Sequence, residues 1–150
     1  MELILWRHAE AEDGVPDASR KLTEKGMKQA QSMAQWLKPR LPKHTRIIVS
    51  PAKRTQQTAA ALSDIYETVE AVGTSTTADK LLTVVNWPYE EGSVLVVGHQ
   101  PTLGQIAASI LGNHHTGLSV RKGSIWWFSS KSKNVSSSGS LRLVMIPDML

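Results

Sequence analysis

The sequence contains no cysteine, and this absence excludes several kinds of chemistry. A chain without cysteine has no disulfide bonds, no thiolate nucleophile and no zinc held by thiolates. The composition agrees with a reducing compartment, and we therefore expect a cytoplasmic protein.

Long hydrophobic runs are missing as well. No apolar stretch approaches the roughly 20 residues that cross a bilayer, so we expect no membrane span. The first residues, MELILWRH, carry an acid at Glu2 and lack the small-residue cleavage site of a secretory signal peptide. We interpret them as a first strand.

Positive charge exceeds negative charge only slightly. The 17 Lys and Arg residues and 13 Asp and Glu residues give a net charge of +4, and the basic residues are scattered from Arg7 to Arg142. Nucleic-acid binding is typically signalled by a concentrated basic patch. The sequence therefore favours a small anionic ligand, and nucleic acid is not an expected partner.

The 150 residues fit one domain, which we expect to span 1–150. Strands are predicted at 2–6, 46–50, 68–72, 93–98, 124–130 and 141–147, and helices at 23–37, 51–66, 79–87 and 101–112. This alternation predicts a three-layer α/β fold, with helices on both faces of a mainly parallel sheet. The last two strands predict a C-terminal antiparallel hairpin, joined by a Ser-rich segment at 131–139 that we expect to be mobile.

Two helix starts carry recognisable capping signals. Thr23 is the predicted N-cap of the first helix, and Ser50 followed by Pro51 predicts the start of the second. Apolar residues at helical spacing predict the buried face of the first helix: Met27, Ala30, Ala34 and Leu37.

Three of the predicted parallel strands end in residues suited to binding phosphate. The first ends in Arg7 and His8, the second in Ser50 with Arg54 one helical turn later, and the fourth precedes His99. Ligands of open α/β sheets bind beyond the carboxyl ends of the strands, where helix N-termini also favour anions. The sequence therefore predicts a phosphate receptor at this edge of the sheet.

A histidine among arginines can do more than bind phosphate. A neutral imidazole can attack phosphorus and carry the phosphoryl group covalently, while guanidinium groups stabilise the charge on the equatorial oxygens. His8 at the end of the first strand is the candidate nucleophile.

Four segments carry a resemblance to a known family. They are RHA at 7–9, SRKLTEKG at 19–26, SPAKRTQQTA at 50–59 and GHQP at 98–101. In this order they resemble the histidine phosphatase superfamily, which has the phosphoglycerate mutase-like fold, and within it the short SixA-type phosphohistidine phosphatases. The resemblance extends to about Gly112.

The resemblance implies a role for each matched residue. It implies that His8 is the nucleophile, that Arg7, Arg54 and His99 bind the phosphoryl oxygens, and that Arg20 lines the same pocket. It implies a phosphatase that works without a cofactor, and we expect no metal because the arginines meet the charge of the transition state.

The sequence does not assign a proton donor. Larger members of the superfamily supply an acid from the stretch before the Gly-His motif, where this chain has Asp79, Glu90 and Glu91 in no recognisable context. A phosphohistidine substrate has a P–N bond whose leaving imidazole can already be protonated, so it needs less help from an acid. The short stretch also leaves no chain for a lid, which suits a phosphorylated side chain on another protein.

We therefore expect a phosphatase that acts on phosphohistidine of a histidine-phosphotransfer signalling protein. Two alternatives stay open: an enzyme that hydrolyses small phosphomonoesters, and a regulatory module that binds phosphoryl groups without catalysis. Turnover on phosphohistidine against a panel of phosphomonoesters separates the three.

Other reactive side chains have structural interpretations. Carboxylates at Glu10, Glu12 and Asp13 follow His8 and suit a divalent metal, although a solvated loop is the favoured interpretation. Three further histidines are predicted at the surface: His44, His114 and His115.

Strand alternation in the segment around Trp126 and Trp127 predicts that one of these rings faces outward. Strand core is the favoured interpretation of this segment, and a docking surface built from the outward ring together with Trp6, Trp36 or Trp87 is the alternative.

Overall fold

The computed structural model describes residues 1–112, 117–131 and 139–150. This part of the chain contains six strands: β1 (Glu2–Arg7), β2 (Arg46–Val49), β3 (Glu67–Thr68), β4 (Ser93–Gly98), β5 (Ile125–Ser129) and β6 (Ser140–Met145). It contains four α-helices: α1 (Glu24–Leu37), α2 (Lys53–Ala60), α3 (Ala78–Val84) and α4 (Thr102–Ile110). Three 3-10 turns lie at Asp17–Ser19, Glu70–Val72 and Pro147–Met149. His114, His115 and the core of the predicted mobile segment, 132–138, lie outside the described residues.

The six strands form one mixed sheet in the order β3-β2-β4-β1-β5-β6. β3, β2, β4 and β1 are parallel, whereas β5 runs antiparallel to β1 and β6 antiparallel to β5. Parallel pairing places Arg7 opposite Gly98, so the chain leaves β1 and β4 at neighbouring points of one edge. The predicted α/β fold with its C-terminal antiparallel hairpin is confirmed.

Both faces of the sheet are covered, because alternate residues of the central strands point to opposite sides. One face buries Leu3, Leu5, Val94 and Val96 together with Leu81 of α3 and Ile106 of α4. The other face buries Ile4, Trp6, Leu95 and Val97 together with Met33 of α1 and Ala59 of α2. Each large apolar side chain contributes about 1.5–3 kcal/mol by leaving water. Two apolar layers therefore hold the carboxyl edge of the sheet in place.

The start of α1 is as predicted, but one residue of its buried face is not. The Thr23 hydroxyl accepts a hydrogen bond from the Gly26 backbone N–H at 2.9 Å, which confirms the N-cap. Met27 is 36% exposed, and Gly26 is buried in its place. A Cβ on Gly26 would overlap the carbonyl group of Glu10, so this close approach admits only glycine.

The second helix differs from its prediction at both ends. It spans Lys53–Ala60, and its N-cap is Ala52 rather than Ser50. The Ser50 hydroxyl accepts from the Ala52 backbone N–H and also lies 2.7 Å from His99, so it belongs to the turn that leads into the helix. α3 ends at Val84, short of the predicted 87, because Asn86 adopts a left-handed conformation with a φ of 56°.

The prediction of an outward tryptophan in β5 is wrong. Trp127 is 4% exposed and packs in the core beside α1, while Trp126 is half-buried and packs against the core on the opposite face. Trp6 and Trp87 are buried as well. β5 lies between β1 and β6 with both faces covered, so alternation turns the two rings into different cores.

His44 is exposed, as predicted. None of the helices in the described segments is long and apolar enough to cross a membrane.

Candidate active site

The carboxyl ends of β1 and β4 bring two histidines together. The backbone N–H of His8 donates to the carbonyl oxygen of Gly98 at 3.2 Å, which fixes the two strand ends side by side. The rings of His8 and His99 then lie with centroids 5.4 Å apart and planes tilted by 56°. The predicted convergence of the first and fourth strand ends is confirmed.

His8 is held in one tautomer. Its Nδ1–H donates to the carbonyl oxygen of Ala9 at 2.7 Å, because a carbonyl oxygen can only accept. The opposite ring nitrogen, Nε2, therefore carries a lone pair.

The same histidine is kept neutral. Burial lowers the pKa of His8 to about 3, and the nearby charges of His99, Arg54 and Arg7 push in the same direction. The hydrogen bond to Ala9 opposes this shift without cancelling it. The imidazole is thus in its nucleophilic form at neutral pH.

His99 is buried beside it and is linked to the end of β2. Its Nε2 lies 2.7 Å from the Ser50 hydroxyl oxygen, and its Nδ1 has no hydrogen-bond partner among the described residues. Burial, followed by the charge of Arg54, lowers the pKa of His99 to about 4. A neutral His99 can donate one hydrogen bond to an oxygen, and an incoming dianion would favour its protonation.

Arg7 and Arg54 place two positive charges next to the histidines. One terminal nitrogen of Arg7 donates to the Val120 carbonyl at 2.9 Å, and burial, then the charge of Arg54, lowers its pKa. Arg54 is 3% exposed. The Nε atoms of both arginines are buried without a partner in the described segments. A half-buried and a buried arginine, each with an unused Nε donor, make a pocket suited to an anion.

Asp17 joins Arg54 to Arg20. Arg54 donates from Nη1 to the Asp17 backbone carbonyl at 2.8 Å and from Nη2 to the carboxylate Oδ2 at 3.0 Å. Arg20 donates from Nε to Oδ1 of the same carboxylate at 3.0 Å and from Nη1 to the Glu12 carbonyl at 3.1 Å. Arg20 therefore lies at the pocket rim and reaches Arg54 through Asp17.

Asp17 was not among the residues predicted for the site. Its hydrogen bond with Arg54, followed by that with Arg20, lowers the pKa of its carboxyl group, so it is ionised and unsuited to donate a proton at neutral pH. Its place three residues before Arg20 was the one local signal for this role.

Thr58 of α2 supports the backbone next to the nucleophile. Its buried hydroxyl accepts from the Ala9 backbone N–H at 3.1 Å and donates to the Arg54 carbonyl at 2.8 Å. One side chain thereby connects the segment after β1 to the helix that carries Arg54.

The three carboxylates weighed as proton donors lie away from this pocket. Glu90 and Glu91 precede β4, at the amino edge of the sheet, opposite to His8. Asp79 lines a separate cavity with Trp87 and Tyr89. The proton donor is still unassigned.

The acidic residues that follow His8 are not arranged with it as the ligands of a metal ion would be. The carboxylate of Glu10 accepts from the Thr23 hydroxyl at 2.7 Å and so supports the start of α1. Within residues 1–112, 117–131 and 139–150, no group of three or more His, Asp or Glu residues is arranged to hold a metal ion. The expected independence from metal stays a prediction.

The fold and the pocket together define a three-layer α/β protein with paired histidines and arginines at the carboxyl edge of its sheet. A family model described as the histidine phosphatase superfamily (branch 1) matches residues 3–74. A phosphohistidine phosphatase SixA homolog of Haemophilus influenzae is 33% identical over 134 residues, covering 77% of this chain and 80% of that protein. Phosphohistidine phosphatase SixA of Escherichia coli K12 is 30% identical over 119 residues, covering 73% and 74%. The chain belongs to the histidine phosphatase superfamily, within its SixA-type branch.

A solved structure shares the whole fold. The protein histidine phosphatase SixA complexed with tungstate superposes with a TM-score of 0.84, at 24% identity, over 99% of both chains. This likeness extends through the C-terminal part of the chain, where the sequence motifs end.

Proposed function

We propose that the protein is a phosphohistidine phosphatase that works through a covalent phosphoryl intermediate on His8. The observation that carries this proposal is the neutral His8 ring, whose Nδ1–H is bound by the Ala9 carbonyl and whose Nε2 is left with its lone pair. That tautomer is the one required for attack on phosphorus by Nε2.

In the first step, Nε2 of His8 forms a bond to phosphorus while the bond from phosphorus to the leaving nitrogen breaks. Arg7 and Arg54 stabilise the charge on the equatorial oxygens, with His99 as a further hydrogen-bond donor. The leaving imidazole departs with the proton on its ring, so no carboxylic acid is required. In the second step, water attacks phosphorus, His8 regains its lone pair and inorganic phosphate is released.

A phosphorylated histidine on a histidine-phosphotransfer signalling protein is the proposed substrate. Two relatives named as phosphohistidine phosphatases support the substrate class. The ionised state of Asp17 is in keeping with this substrate, because the carboxylate that lies against Arg54 has no proton to give to an alcohol leaving group.

We further propose that residues 1–150 act as one histidine-phosphatase domain. The support is the sheet, because β1, the strand that leads into His8, pairs directly with β5 of the C-terminal hairpin. The cytoplasmic location expected from the sequence stays a prediction.

The test is dephosphorylation of a histidine-phosphotransfer domain labelled on its histidine, compared with a panel of phosphomonoesters. We expect loss of the label with the wild-type protein and none with His8→Ala, while the exposed His44→Ala serves as the matched control. Faster turnover of the monoesters would instead identify a small-molecule phosphatase. Binding without turnover of any substrate would identify a regulatory module.

A further inference from the structure

A cavity of about 350 Å³ adjoins the phosphoryl pocket. Its walls include Asp17, Ser50, Glu70, Thr74 and Ser75, and we call it the carrier cleft. Two of these residues also contact the pocket, because Asp17 binds Arg54 and Ser50 binds His99. A phosphoryl group held by Arg54 and His99 would therefore have its carrier, the group to which it is attached, beside this cleft.

The cleft is acidic. Asp17 and Glu70 are carboxylates, and no Lys or Arg is among the described residues that line it. The charge of Asp17 is balanced by Arg54 and Arg20. By contrast, no cation of the described chain pairs with the Glu70 carboxylate, which is exposed. Glu70 is thus the residue that gives this wall its net negative charge.

The position of Glu70 is set by the backbone rather than by a side-chain contact. It begins the 3-10 turn Glu70–Val72, which is closed where the Gly73 backbone N–H donates to the Glu70 carbonyl at 2.9 Å. Val72 is 1% exposed and packs in the core, so it anchors this turn to the sheet. The carboxylate therefore stands on a fixed part of the cleft wall.

We propose that Glu70 is a specificity-determining residue, which favours phosphoryl groups on neutral or cationic carriers and disfavours carriers with a second anionic group. This proposal rests on the phosphatase function proposed above. Repulsion between two like charges less than about 10 Å apart near a protein surface weakens binding by roughly threefold to tenfold. The same carboxylate favours the protonated, positively charged form of the phosphohistidine ring, which becomes neutral as the P–N bond breaks and the imidazole leaves with its proton.

The first experiment measures binding and needs no turnover. Glycerol 3-phosphate and 3-phosphoglycerate differ in that only the second carries a carboxylate, and NMR shifts of the His8 and His99 rings report the Kd of each. We expect 3-phosphoglycerate to bind more weakly to the wild-type protein. In Glu70→Gln, the ratio of the two Kd values should fall by roughly threefold to tenfold.

The second experiment measures kcat/KM on the phosphorylated histidine-phosphotransfer domain. Glu70→Gln should lower this kcat/KM by a similar factor. The same substitution should strengthen the binding of 3-phosphoglycerate relative to glycerol 3-phosphate, so its effects on the two measurements are opposite. Asp64→Asn is the matched control, since it removes one exposed negative charge between α2 and β3, at the amino edge of the parallel strands. It should leave both measurements unchanged.

The outcomes separate this proposal from the proposed function. Equal Kd ratios in the wild-type protein and Glu70→Gln, or equal ratios in Glu70→Gln and Asp64→Asn, would overturn the role of Glu70. A wild-type protein that does not release phosphate from phosphohistidine would overturn the proposed function, whatever the Kd ratios show.

Discussion

The rings of His8 and His99 lie 5.4 Å apart, centroid to centroid, and both are neutral at pH 7. Each ring has one nitrogen held by the protein, His8 by the Ala9 carbonyl and His99 by the Ser50 hydroxyl. The remaining nitrogen of each is free of protein partners in the described segments. Two neutral histidines with different anchors can therefore take different roles toward one phosphoryl group.

The lowered pKa values of these histidines predict a loss of stability in acid. Between pH 7 and 5, a histidine titrates in the unfolded chain near pH 6.5 but stays neutral in the folded one, so the unfolded state binds more protons. Stability that is present above pH 6.5 is lost as the pH falls. Each of the two histidines accounts for about 2 kcal/mol of this loss.

The check is urea unfolding at pH 7 and pH 5. His8→Asn should lose about 2 kcal/mol less than the wild-type protein between these pH values. His44→Asn removes an exposed histidine that has a φ of 62°, which asparagine tolerates, and it should behave as the wild type. Equal losses in His8→Asn and wild type would show that His8 titrates normally.

Replacement of Arg54 should cost far more activity than replacement of its neighbour in the chain. Arg54 is 3% exposed, whereas Lys53 is exposed to solvent. A guanidinium group grips two oxygens at once, so Arg54→Ala should lower kcat/KM on phosphohistidine by roughly 100-fold or more. Lys53→Ala should change it by less than about twofold. Similar losses from the two substitutions would contradict the placement of Arg54 in the pocket.

Asp17 should strengthen anion binding although it is itself negative. Its carboxylate holds Nη2 of Arg54 and Nε of Arg20, and we expect this orientation to outweigh the repulsion between like charges. In Asp17→Asn, tungstate, which mimics phosphate, should bind several-fold more weakly by calorimetry. Asp13→Asn removes an exposed acid from the same loop and is the control. Tighter binding in Asp17→Asn would show that this carboxylate competes with the anion instead.

Activity should survive EDTA. In the proposed mechanism Arg7, Arg54 and His99 stabilise the negative charge on the phosphoryl oxygens, so the reaction requires no divalent ion. The rate of phosphohistidine hydrolysis should be the same before and after extensive dialysis against the chelator. A rate that falls and returns with added divalent ion would revive the alternative of a metal in the acidic loop.

The main features of the site could be predicted from the sequence because they follow from short-range patterns. Strand runs that end in Arg7-His8 and before His99 lie in neighbouring parallel strands, and a general rule of α/β sheets brings such ends together. The structure places both histidines and Arg54 in one pocket. Their roles in catalysis are still proposals.

What could not be predicted depends on partners that are distant in the chain. Ser50 has the sequence signature of an N-cap, but its hydroxyl binds His99, 49 residues away. The sequence around Asp17 is typical of an exposed loop, and its hydrogen bond with Arg54, 37 residues later, is formed only in the fold. Helical spacing favoured Met27 for the buried face, but Met27 is 36% exposed and the neighbouring Gly26 is buried, because the Glu10 carbonyl approaches it closely.

The central claim is that His8 forms a bond to phosphorus, and rapid-quench trapping tests it most directly. We expect an acid-labile phosphoryl group on His8 of the wild-type protein within the first turnover, located by mass spectrometry after an alkaline quench. His8→Ala should bind tungstate but form no adduct and show no turnover, while His99→Ala should weaken both binding and turnover. Near wild-type hydrolysis of phosphohistidine by His8→Ala would contradict the covalent mechanism.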